Sequence, residues 1–175
     1  MTAPLTLDPA RTALVLVDLM DRIVALRLEP RKGTEVLHTA EELAQTFRAA
    51  GALVVLIRVE RPSVAEQPPG SGLADGLLRD GDLEVVKGTI GGFQGTRLDE
   101  HLRERGVTTL VFGGIATNLG VESTARAAAD LGYALVFAED AMAAFTTAEH
   151  EASVRLDFPR LGSVVTASQV RLAAG

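Results

Sequence analysis

The chain has 175 residues, a formal net charge of -6 and no cysteine. Its length suits one domain over residues 1–175, and its acidic balance argues against a nucleic-acid partner, whose phosphates reward clustered Lys and Arg. The missing thiols exclude disulfides, thiolate metal sites and a cysteine nucleophile.

No apolar run approaches the ~20 residues that span a bilayer. The opening MTAPLTLDPARTALVLVDLM has no basic stretch ahead of a long apolar one. A soluble, cytoplasmic protein with no membrane partner is therefore expected.

Short β-branched apolar runs alternate with segments of helical period. ALVLVD (13–18) reads as a strand buried on both faces, and GTEVLHTAEELAQTFRAAG (33–51) as a helix with Val36, Leu37, Ala40, Leu43, Ala44 and Phe47 on one side. ALVVLIRVE (52–60) is a second strand. RPSVAEQPPGSGLADGLLRDGD (61–82) is Pro- and Gly-rich without a period, too long for a plain connection, and is expected to be a binding loop or a mobile lid. LEVVKG (83–88), TTLVFGG (108–114), YALVFAED (133–140) and GSVVTA (162–167) complete six strands, with helices over 96–106, 120–132 and 147–158. This alternation predicts a three-layer αβα fold of the Rossmann-like class around a mostly parallel six-stranded sheet.

In such sheets ligands bind beyond the carboxyl ends of the strands. Asp18 ends the first strand, Lys87 ends the third, and GGIATNLG (113–120) follows the fourth. Two opposite charges facing one crevice read as a functional pair, with a structural ion pair as the alternative. The first turn lacks the glycines of a dinucleotide site, and GGIATNLG lacks the Lys and Ser/Thr of a phosphate loop, so no cofactor is expected. What remains is a helix start whose N–H groups suit an anion or a developing oxyanion. His38, His101 and His150 have no ligand spacing, and no metal is expected. Glu122 reads as a carboxylate complementing the helix start.

ALVLVDLMDRIV, VVKGTIGGFQGT and above all GGIATNLGVESTARAA resemble the isochorismatase-like hydrolases, the cysteine hydrolase superfamily. The resemblance implies a strand order 3-2-1-4-5-6 and an Asp, a Lys and a Cys at the site. The Asp maps to Asp18 and the Lys to Lys87, while the Cys position is Gly120. It also implies a cis peptide between Ile115 and Ala116 that aims the Ala116 N–H into the site, with Thr117 beside it and the aromatic Phe93 and loop residue Gln67 on the pocket wall. Phe145 is a weaker candidate for the far side. Met20 stands where the family commonly has Gln, and the nicotinamidase metal motif is missing from RVERPSVAEQPPG.

Members that act on isochorismate also carry glycine at the Cys position, because cleaving a vinyl ether needs an acid and no thiol. The resemblance thus implies a hydrolase of a small molecule, with Asp18 as general acid or base, Lys87 orienting it and Gly120 providing room. Asp75 occupies the place of the Arg that would meet a substrate carboxylate, which weighs against isochorismate itself. Two alternatives stay open: Asp18 as base toward water with the Ala116 and Gly120 amides as oxyanion hole, and a non-catalytic paralogue that binds a small molecule. A homo-oligomer is expected, and a monomeric mass at micromolar concentration would refute it.

Overall fold

The computed structural model describes residues 4–174. In chain order its elements are β1 (Leu5–Leu7), β2 (Thr12–Val17), α1 (Asp21–Val24), α2 (Gly33–Ala49), β3 (Leu53–Val59), β4 (Leu83–Lys87) and α3 (Leu98–Glu104). There follow β5 (Thr109–Ile115), α4 (Glu122–Asp130), β6 (Ala134–Ala143), α5 (Thr147–Ala152), α6 (Phe158–Leu161), β7 (Ser163–Val165) and β8 (Val170–Leu172).

Side-chain alternation along the central strand decides the layering. Leu14 and Leu16 of β2 point to one side, where they join Val36, Ala40, Leu43 and Phe47 of α2. Ala13, Val15 and Val17 point to the other and join Leu98 and Leu102 of α3 and Ala125 and Ala128 of α4. Because helices cover both faces, the strands read as continuous apolar runs. Phe112, Phe137 and Phe158 stack in series across the second layer, with ring centroids 5.8 and 4.0 Å apart.

The main sheet runs β4-β3-β2-β5-β6-β7 with every pair parallel, which is the expected 3-2-1-4-5-6 order when counted from β2. A small parallel pair, β1 with β8, lies outside the predicted set. At the carboxyl end of the sheet Phe112 pairs with Phe137 but Gly114 pairs with Met142, a register shift that bends the β5–β6 edge next to the site. Gly114 is required there: its φ is +122°, and a Cβ would come 2.2 Å from the Val17 carbonyl oxygen.

Three boundaries differ from the sequence reading. The helix expected over 120–132 is preceded by a π-helical turn, Thr117–Val121, so Gly120 lies inside that turn. The helix expected over 147–158 is broken into α5, a second π-helical turn (Ser153–Asp157) and α6, with Pro159 in the first turn of α6. The segment 61–82 divides in two: residues 61–66 are exposed, while its second half is tied to the domain. Ala74 donates to the Leu19 carbonyl at 2.9 Å, Leu77 is buried, and the Arg48 guanidinium holds both the Leu77 carbonyl and Asp82.

Candidate active site

β2, β3 and β5 end side by side, and Asp18 is the first residue past β2. Its N–H donates to the Ile57 carbonyl of β3 at 2.8 Å, and its φ of +53° places it in the left-handed region. A non-glycine residue there is held by its surroundings and carries a local energetic cost, a pattern concentrated at functional sites. Lys87, the last residue of β4, reaches past the end of β3 so that Nζ lies 2.9 Å from Asp18 Oδ2. The same ammonium donates to the Ile90 carbonyl. Lys87 is only 2% exposed, so the pair is out of water.

Two forces act on Asp18 in opposition. Burial penalises the carboxylate and raises its pKa, while the charge and hydrogen bond of Lys87 lower it; burial is the larger, and the carboxyl titrates above its ordinary value of 3.8. Oδ1 is buried and has no hydrogen-bond partner. A lone unpartnered oxygen in such a place is the one most ready to carry a proton or meet a ligand.

Gly120 lines the same site, and a side chain there would be tightly neighboured. A Cβ at that position would stand 3.0 Å from Val17 Cγ1 and 3.1 Å from both Asp18 Oδ2 and Lys87 Nζ. A side chain enters the room beside the ion pair only if these neighbours give by a few tenths of an ångström. Gly120→Cys should consequently lower stability by about 1–3 kcal/mol in urea unfolding, because buried groups must be pushed apart to admit the Cβ. An unchanged unfolding midpoint would show that the pair opens freely.

A cavity of about 370 Å³ opens beside this pair, within the range of small-molecule sites. Asp18, Lys87, Gly120, Ile115 and Ala116 all line it, and the Ile115–Ala116 peptide is cis as expected. Phe145 lines it as well. Three predicted residues do not. Phe93 packs on Tyr133, with centroids 6.1 Å apart, and borders a neighbouring cavity with Asp99 and Ser123. Gln67 folds back on its own loop, its amide bonding the backbone N–H and carbonyl of Arg61. Thr117 turns its hydroxyl into the protein, 2.8 Å from His150 Nδ1. Asp75 lies elsewhere, beside Glu41, Gln45 and Arg48.

The sequence reading missed the apolar wall. Ile23, Leu26, Val59, Ile90 and Leu119 face the cavity from loops and element ends, where no periodic pattern marks them. For Ile23 and Leu26 the sequence signal was the surplus of apolar residues in LMDRIVAL, which belongs to no strand.

The hydroxyls of Thr117, Thr124 and Ser123 do not take the place of the thiol. Thr117 is engaged by His150, and Thr124 Oγ1 donates to the Gly120 carbonyl at 2.6 Å while accepting the Gly92 N–H at 3.0 Å. Ser123 borders the neighbouring cavity instead. α5 and the turn after it brace the site from behind, through His150 to Thr117 and through Ser153 to Glu122. Glu122, at the start of α4, also pairs with Arg126.

His150 is buried, and burial, followed by the nearby Arg31 charge, lowers its pKa to about 4. A depressed histidine favours folding above its unfolded pKa near 6.5, and that contribution is lost as pH falls through about 4. His150→Gln should flatten the loss of melting temperature between those two pH values; a slope identical to wild type would contradict this. His38 and His101 sit on α2 and α3 beside Glu42 and Glu104. Among the described residues no cluster of three or more His, Asp or Glu is placed to hold a metal ion, and no helix is long and apolar enough to cross a membrane.

A model of the Isochorismatase domain matches residues 12–169. The chain is 37% identical over 183 residues to the uncharacterized isochorismatase family protein YecD of Escherichia coli O157:H7, with 95% of this chain and 97% of that one covered. It is 31% identical over 180 residues to the ureidoacrylate amidohydrolase RutB of Agrobacterium fabrum, with 79% and 78% covered. Among solved structures, an isochorismatase family protein from Burkholderia thailandensis is similar with a TM-score of 0.87 and 37% identity, covering 97% of both chains. With the parallel sheet order, the domain match and these relatives in agreement, the chain belongs to the isochorismatase family of hydrolases, within the isochorismatase-like cysteine hydrolase superfamily.

Proposed function

We propose that this hydrolase acts on a small molecule without a covalent intermediate, using Asp18 as general acid in a vinyl-ether type cleavage. The observation that carries the reading is the state of Asp18: a buried carboxyl whose pKa is raised despite a lysine at 2.9 Å, with one oxygen unpartnered. A thiol route has no sulfur to use, since the chain contains no cysteine.

The steps follow from that acid. Lys87 holds Oδ2, so the proton sits on Oδ1, and rotation about the broad terminal torsion presents it to the cavity. The proton passes to the terminal carbon of the enol ether; its π bond breaks and an oxocarbenium ion forms beside the Asp18 carboxylate. Water adds to the cationic carbon and returns a proton to Asp18. The hemiketal then breaks its C–O bond, releasing an alcohol and a ketone, so one water is consumed and the acid is regenerated. Lys87 steadies the carboxylate between the two transfers.

The similarity to a ureidoacrylate amidohydrolase raises an amide as the competing target. In this chain an amide would be attacked by water directly, with Asp18 as base, and a raised carboxyl pKa favours the acid role over that one. A panel of enol ethers, amides and small acids screened for melting-temperature shifts, then for turnover, tests the reading. Ketone release from an enol ether, without any mass adduct on the enzyme during turnover, is expected. An acyl-enzyme would contradict it, and binding throughout the panel with no turnover would establish a non-catalytic binding protein.

A further inference from the structure

A protonated Asp18 changes what its neighbour needs. The buried Lys87 ammonium has two partners, Asp18 Oδ2 and the Ile90 carbonyl. Once Asp18 carries its proton, the carboxyl no longer offsets the charge of the ammonium, which then leans on the Ile90 carbonyl. Whatever fixes that carbonyl therefore stabilises the acid form.

Ile90 lies in a stretch, 88–95, that contains four glycines and no helix or strand. Such a chain does not hold its own shape. Two of the glycines let it lie against other elements: a Cβ at Gly91 would stand 2.9 Å from Ser123 Oγ of α4, and one at Gly92 would stand 2.6 Å from Ile57 Cδ1 of β3 and 3.3 Å from Thr124 Cγ2. At that approach the Gly92 N–H donates to Thr124 Oγ1 at 3.0 Å. Among the described residues this is the one hydrogen bond from the backbone of residues 89–95 to a residue outside 87–96.

Thr124 is fully buried, and its hydroxyl donates to the Gly120 carbonyl at 2.6 Å. A helical threonine often bonds the carbonyl four residues back, and that bond alone would be local. Together with the Gly92 N–H, it ties the loop on the Ile90 side of the cavity to the turn on the Leu119 and Gly120 side.

We propose that Thr124 is a positioning residue of this site: its hydroxyl anchors the loop so that the Ile90 carbonyl stays on the Lys87 ammonium while Asp18 carries its proton. Its consequence for turnover rests on the reading of Asp18 as the acid, whereas protonation of Asp18 is followed without any substrate. Without the hydroxyl, two changes act on Asp18 in one direction. The ammonium, its carbonyl loosened, draws harder on the carboxylate, and a loosened loop admits water, which weakens burial, the largest cause of the raised pKa. Arg22 of α1, the other charge acting on Asp18, is held by Ser71 Oγ.

Carbon-13 NMR titration of the Asp18 carboxyl, assigned with Asp18→Asn, in wild type, Thr124→Val, Thr124→Ala and Thr124→Ser is the test, with turnover of an enol ether followed in parallel. The valine and alanine variants should lower the Asp18 midpoint by about one pH unit, the scale of a weakened hydrogen bond to a charged group, and lower the rate about tenfold on its falling side. Thr124→Ser keeps the hydroxyl and should restore both. Valine strands two buried backbone groups, so the alanine variant, favoured in a helix, carries the test if the valine variant does not fold. A midpoint unchanged in a folded but less stable variant overturns the proposal, as does a midpoint that rises or a serine variant that behaves like the alanine one. A midpoint lowered as stated, with no enol ether cleaved by any form, sinks the acid role and leaves Thr124 in its place; cleavage with an unmoved midpoint does the reverse.

Discussion

Replacing Asp18 by Asn is expected to reduce kcat by 10²- to 10⁴-fold, the range a positioned general acid contributes, with KM moving far less. The amide keeps the shape of the side chain and can still accept from Lys87, so binding survives where proton transfer does not. Its pH behaviour should change as well. A raised carboxyl pKa means that the folded protein prefers the protonated form, so this group's contribution to stability is full below the unfolded value of 3.8 and is lost as pH rises through the folded pKa. Activity that depends on the protonated acid falls over the same rise. Steady-state kinetics and urea unfolding of wild type and Asp18→Asn, side by side across that interval, check both: the variant should show neither dependence.

The second large effect belongs to Lys87. Lys87→Met removes one partner of a buried pair and should cost about 3–5 kcal/mol at pH 8, where Asp18 is left as an uncompensated carboxylate. The cost should shrink at pH 5. Without the ammonium only the Arg22 charge is left to oppose burial, so the Asp18 pKa climbs further and acid neutralises the stranded charge. Urea unfolding at the two pH values measures this, and an equal loss at both would show that Lys87 matters through packing rather than charge.

The layers of this fold were legible because two simple periods govern them. Leu14 and Leu16 against Ala13, Val15 and Val17 is a two-residue alternation, and Val36, Ala40, Leu43 and Phe47 mark a helical face. Asp18 and Lys87 were legible for a related reason: a charge ending a buried strand must emerge at the sheet's carboxyl edge, and the parallel order brings both to one place.

Residues outside regular elements carried no such constraint. Gln67 satisfies the backbone of its own loop, a local bond that composition does not announce. Thr117 is turned by a histidine 33 positions away, and Phe93 by Tyr133 across a glycine-rich loop. The apolar rim from Leu26 to Phe145 was hidden for the same reason, since only the tertiary fold collects it. Gly120 shows the opposite limit: its identity was plain, but that the ion pair closes over it is a matter of tenths of an ångström.

The pH dependence of kcat on an uncharged enol ether such as 2-phenoxypropene tests the central claim most directly. A single protonated acid at Asp18 predicts a rate that is flat at low pH and falls tenfold per unit above a pKa higher than 3.8. A rate that rises with pH, or no cleavage of the enol ether at any pH, would contradict it.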